Sequence, residues 1–138
     1  MSVAGGVLDT WAVLAWLRNE GQAGAAVRRY LHRARSGNLH LFLSLMSVGE
    51  VYYRVAGLED EEHADSALEL VRKLPLEIVP VREALVLAAA RLKARHKLSY
   101  ADAFVVATAR AQDAFVLTGD PEILALPRSV VAVRRLAR

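Results

Sequence analysis

Asp9, Glu50, Asp102 and Asp120 are the residues of this chain whose types and spacing could do chemistry, with the hydroxyl of Thr118 close by in sequence. Asp102 opens a helical stretch that is otherwise mostly Ala, Val and Phe, and Asp120 closes the apolar run Phe-Val-Leu-Thr-Gly. Each acid also has an ordinary structural role open to it. Asp9 could be the N-cap of the helix that follows it. Ser47-Val-Gly-Glu50 and Ser99-Tyr-Ala-Asp102 both have capping-box spacing, in which the acid reaches back to the cap amide, and Asp120-Pro121 is common turn chemistry. Thr10 and Thr118 can serve turns, and Gly119 permits a sharp turn and the close approach of a ligand.

Brought together, the four acids ask for more than capping. Two carboxylates about 5 Å apart repel by roughly 3 kcal/mol at an effective dielectric near 20. Caps have no reason to converge. A divalent cation supplies one: Mg²⁺ or Mn²⁺ prefers hard oxygen ligands and binds phosphate at the same time.

The elements that must position these acids alternate between strands and helices. Strands are expected at Gly6–Leu8, His40–Leu45, Leu76–Val79 and Phe115–Thr118, with a fifth on an edge at Val130–Val133. Helices are expected at Thr10–Asn19, Ala25–Arg35, Val48–Val55, Glu61–Leu74, Arg82–His96 and Tyr100–Gln112, with Gly21 and Gly24 as punctuation before the second. On this reading Asp9 and Asp120 follow strands, while Glu50 and Asp102 lie in the first turns of helices. Strands that read as continuous apolar runs indicate a parallel sheet covered on both faces. In such α/β sheets, ligands bind at the carboxyl ends of the strands.

Composition narrows the class further. A chain of 138 residues with 54% hydrophobic and 24% charged residues is expected to form one globular domain over 1–138. It has no cysteine, which excludes disulfides and thiolate metal sites. His32, His40, His63 and His96 show no ligand spacing, so no zinc site is expected. Trp11, Trp16, Tyr52 and Tyr53 sit in helical patterns as core or subunit-contact residues. No Walker loop, dinucleotide fingerprint or nucleophile elbow occurs. With no signal-peptide pattern and no uncharged membrane-length segment, the expected location is the cytoplasm. The net charge is +3, and fifteen of the eighteen basic residues are arginines, gathered in RRYLHRAR and RRLAR. Guanidinium forks suit phosphate, and a solvated helix face is the alternative.

Four segments in order, VLDTWAVLAWL, SLMSVGEVYYR, LSYADAFVVATAR and FVLTGD, resemble the PIN domain, and within it the VapC-type toxins of prokaryotic toxin-antitoxin pairs. The resemblance implies a three-layer α/β/α sandwich with a central, mainly parallel sheet and a Mg²⁺- or Mn²⁺-dependent endoribonuclease. It implies that Asp9, Glu50, Asp102 and Asp120 form the acidic cluster with Thr118 beside it, that an antitoxin covers the site, and that the chain forms a homodimer acting on RNA. Asp9 and Asp102 are the first choices for direct ligands. Glu50 is a ligand or a water-orienting base, and Asp120 is a ligand or a group held behind one. The alternatives are a non-catalytic RNA- or protein-binding module on this fold, with the acids as caps, and a PIN nuclease of RNA processing. A phospho-acceptor domain fits less well, because no lysine follows the last strand, and a paired-aspartate phosphatase lacks its second acid after Asp9.

Overall fold

A computed structural model describes residues 3–137. Five strands, β1 (Gly5–Leu8), β2 (His40–Ser44), β3 (Glu77–Val79), β4 (Phe115–Thr118) and β5 (Val133–Arg135), form one sheet in the order β3-β2-β1-β4-β5. Every neighbouring pair is parallel. The helices are α1 (Thr10–Leu17), α2 (Gly21–Arg35), α3 (Leu45–Leu58), α4 (Glu61–Arg72), α5 (Glu83–Arg95), α6 (Tyr100–Ala111) and α7 (Pro121–Leu124).

Period-two alternation sends strand side chains into two separate cores. Leu8, Leu41, Leu43, Phe115 and Leu117 pack with α1 to α4, whereas Val7, Phe42 and Val116 pack with α5, α6 and α7. This is the three-layer sandwich expected from the apolar strands. The chain leaves the central β1 toward β2 and β3, then crosses back to β4 and β5. That reversal places a crevice between the carboxyl ends of β1 and β4, where Asp9 and Asp120 emerge.

Several boundaries differ from the sequence expectation for identifiable reasons. Gly24 lies inside α2 instead of punctuating before it, because a Cβ there would stand 3.0 Å from the Ala15 carbonyl oxygen; the missing side chain lets α2 pack tightly on α1. The third helix begins at Leu45, with the Ser44 hydroxyl accepting from the Met46 N–H at 3.2 Å. Glu50 therefore sits in its second turn and not its first. The box with Ser47 does not form, and the buried Ser47 hydroxyl has no partner among the described residues. The fifth strand is on an edge as expected, but it runs Val133–Arg135 and not Val130–Val133. Val131 is buried instead as a loop anchor under α6. Helix α7 was not expected. No helix among the described residues is long and apolar enough to cross a membrane.

Candidate active site

Asp9 directly follows β1 and is 1% exposed. One of its carboxylate oxygens accepts from the Ala12 N–H at 2.8 Å, capping α1, so the capping role is real. A carboxylate has a second oxygen, and here it accepts from the Thr118 hydroxyl, 109 residues away. Thr118 in turn accepts from the Asp120 N–H at 2.8 Å, fixing the turn after β4. Asp120 repeats the pattern: one oxygen caps α7 by accepting from the Glu122 N–H at 2.8 Å, while its carboxyl group lies against that of Asp102, with oxygens within 4.8 Å.

Asp102 follows Ser99, whose hydroxyl accepts from the Asp102 N–H at 3.1 Å. Only that half of the capping box is made. The Asp102 carboxyl group turns to Asp120 and to the Ser99 hydroxyl, leaving the Ser99 N–H without it. Glu50 approaches from α3 and is bound at both oxygens. The Thr10 hydroxyl donates to one at 2.7 Å, and Arg54, one turn further along α3, pairs with the other at 3.1 Å.

Burial and mutual repulsion both act against ionisation here. Desolvation pushes the Asp9 carboxyl up to about 7, against the hydrogen bonds from Thr118 and Ala12, with Asp120 and Glu50 adding to the rise. Desolvation raises Asp102 to about 8, helped by the charge of Asp120, by the hydrogen bond between the two carboxyl groups, and by Asp9. The N-termini of α1 and α6 point at this cluster and partly offset its negative charge.

All five residues singled out from the sequence thus meet at the crevice, but the tightest group differs from the expected four. Carboxylate oxygens of Asp102, Asp120 and Glu122 lie within 4.8 Å of one another, an arrangement that could hold a metal ion. Asp9 stands outside that group yet close enough to act on Asp102, and Glu50 acts on Asp9 in turn. Glu122 and Arg54 were missed. The signal for Glu122 was the sequence Asp-Pro-Glu, in which proline at the first helical position announces α7 and sets the two acids at its start. The four histidines are apart from the cluster; His63, for example, bonds Asp60 at 2.7 Å.

Gly119 serves a different purpose from ligand approach. A Cβ at this position would stand 2.4 Å from the Trp11 ring, so the indole occupies the space that a side chain would need. Gly119→Ala is therefore expected to destabilise the fold by about 1–3 kcal/mol through overpacking. Because the displaced turn carries Asp120, a thermal melt and a metal titration should both register the change. An unchanged melting temperature would show that Trp11 moves aside freely.

The model of the PIN domain matches residues 6–128 of the chain. The chain belongs to the PIN domain family. Solved structures carry the same fold. The DNA-bound VapBC of Salmonella typhimurium superposes with a TM-score of 0.76 at 13% identity, covering 98% of this chain and 100% of that one. VapC20 of Mycobacterium tuberculosis, described as a toxin cleaving the sarcin-ricin loop, gives 0.67 at 17% identity over 88% and 96%. FitAcB of Neisseria gonorrhoeae gives 0.65 at 20% identity over 93% and 95%. At these identities the likeness is one of fold. No curated protein matches the chain. In this PIN domain the donor set is all carboxylate and hydroxyl, which fits a hard divalent cation and not a soft one.

Proposed function

We propose that this PIN domain is a Mg²⁺- or Mn²⁺-dependent endoribonuclease and the toxin of a VapBC-type pair. The observation that carries the reading is the set of carboxyl groups packed together at the β1/β4 crevice, where burial and then mutual repulsion raise Asp9 and Asp102 well above the usual carboxylate range. A fold does not gather repelling acids for capping alone, since each cap uses only one oxygen. Asp102, Asp120 and Glu122 would hold the cation together with Asp9, and Glu50 would orient a water. When bound, the cation supplies charge neutralisation and an acidified water for phosphodiester hydrolysis. Thr118 fixes the second oxygen of Asp9, and Thr10 with Arg54 fixes Glu50, so these groups arrive already oriented. Arg54 is half exposed and is the cation best placed to meet a phosphate beside Glu50.

The toxin-antitoxin complexes that share the fold support an antitoxin partner, and the homodimer is part of the same reading. Exposed apolar side chains on the α3–α4 hairpin, Tyr53, Leu58 and Leu70, support a covered surface there. We read the whole chain as one cytoplasmic nuclease domain. The deciding experiment incubates purified protein with total tRNA and rRNA in Mg²⁺, Mn²⁺ or EDTA. Cleavage is expected with either ion and none with EDTA. Full activity of demonstrably metal-free protein would overturn the mechanism, and RNA binding without cleavage in any ion would make the chain a binding module. Expression alone should slow host growth, and co-expression of an adjacent antitoxin gene should restore it.

A further inference from the structure

An acidic cluster repels the polyanion it is meant to cut, so the attraction that brings RNA to it must come from elsewhere on the surface. A groove of 430 Å³ between α2 and the end of β5 is lined by Gln22, Arg29, Tyr30, Arg33, Arg135 and Leu136, and by no acid. Resting on the nuclease reading above, we propose that this groove holds the sugar-phosphate backbone of the RNA strand leading into the cluster, with Arg29, Arg33 and Arg135 as its phosphate contacts.

Position carries the first part. Arg135 is the register partner of Thr118 across the β4–β5 pair, and the Leu136 N–H donates to the Thr118 carbonyl at 2.8 Å. Neighbouring strands are about 4.8 Å apart, so the backbone of Arg135 stands one strand away from that of Thr118, whose hydroxyl holds Asp9. Arg29 and Arg33 are one helical turn apart on α2 and continue the charge along its axis. A strand bound here would run from the crevice down the face of α2.

Availability carries the second. Among the described residues, Arg29, Arg33 and Arg135 make no ion pair, whereas Arg18 and Arg54 are paired with Glu20 and Glu50. Arg28 extends the same positive surface on the next face of α2. The Arg33 guanidinium lies 5.6 Å from the Tyr30 ring centroid. Arginine forks beside an aromatic face are the pairing that single strands use, phosphate to the fork and base to the ring. A protein partner would want a mainly apolar floor, whereas Ala26, Leu136 and Ala137 share this groove's lining with three arginines and Gln22. The 710 Å³ cleft between α5 and α6 has such a floor, in Leu85, Ala88, Leu92 and Ala107.

The test uses the Asp9→Asn protein in EDTA, so that binding is read without cleavage. Binding of a fluorescein-labelled oligouridylate and of mixed tRNA is followed by anisotropy over a salt series. Carrying Arg29→Gln, Arg33→Gln and Arg135→Gln together should lower the slope of log affinity against log salt by about 2, at about 0.7 per phosphate contact for single strands. The matched triple Arg82→Gln, Arg91→Gln and Arg95→Gln at the other cleft removes the same charge and should change the slope by less than half as much. In the Asp9-intact protein with Mg²⁺, the loss from the groove triple should fall on KM for RNA. Equal slopes for the two triples would overturn the proposal, because only net charge would matter. So would an unchanged slope with loss of a co-purifying partner protein, which would make the groove a protein-docking surface. If the intact protein cleaves no RNA in any ion, the nuclease reading falls, while the two slopes still decide whether the groove binds RNA.

Discussion

RNA cleavage should fall by more than about 100-fold in Asp9→Asn, beyond the upper range for losing a group that merely orients a metal ligand, while the metal-free protein melts at the same temperature or higher. The combination matters because capping and catalysis predict opposite signs. Asparagine keeps the oxygen that accepts from the Ala12 N–H, so the cap of α1 survives. Its amide nitrogen faces the Thr118 hydroxyl, which has a lone pair free to accept. What disappears is a negative charge in a 1%-exposed site beside Asp120 and Glu50. Removing it relieves repulsion in the absence of metal, which is how strained functional sites commonly respond to neutral substitution. Asp9→Ala is the contrasting control. It strands both donors and should cost about 1–3 kcal/mol. Cleavage of total RNA in Mg²⁺, with thermal melts in EDTA, reads both quantities. Wild-type cleavage by Asp9→Asn would reduce Asp9 to a helix cap.

The second large effect is on pH. Asp9 and Asp102 are raised from 3.8 in the unfolded chain to about 7 and about 8 in the native state. Between about pH 4 and about pH 8 the native state therefore holds more protons than the unfolded one, and stability must fall as pH rises through that window. This is the reverse of the behaviour of carboxylates whose pKa is lowered by folding, such as the exposed Asp60. In EDTA the melting temperature should drop by about 5 °C or more between about pH 5 and about pH 8. A bound cation takes the place of those protons, so the stabilisation by Mg²⁺ or Mn²⁺ should be small at the acid end and grow with pH. Calorimetry across this range, with and without metal, checks both slopes. A metal-free melting temperature that rises toward pH 8 would mean that the two carboxyl groups are solvated and ionised, and that the cluster is not closed.

Much of this was legible locally. Apolar runs of four or five residues ending in an acid, followed by a helical pattern, located β1 with Asp9 and β4 with Asp120, because strand periodicity and cap chemistry depend on neighbours only a few residues away. The same local rules failed where two signals competed. The spacing Ser47-Val-Gly-Glu50 suggested a cap at Ser47, but Ser44 caps α3, because β2 ends there and passes into the helix without a loop, leaving Ser47 inside the helix. That choice moves Glu50 by a turn, onto the face where Thr10 and Arg54 meet it. Helix α7 is four residues long, too short for any period to register, and Glu122 was overlooked with it. Gly119 read equally well as a ligand contact until Trp11 filled its space.

By itself, then, the sequence determined the element types, the two-faced strands and the identity of the acids. Their meeting was decided by the strand order β3-β2-β1-β4-β5, which sets β1 against β4 although more than a hundred residues separate them. Periodicity reports how each segment buries its own apolar face and is silent on which strand lies beside which. Thr118 meets Asp9 through the β1–β4 pairing, Thr10 meets Glu50 through the β1–β2 pairing, and α6 packed on the sheet brings Asp102 to Asp120; with these contacts comes the desolvation that raises the carboxyl pKa values.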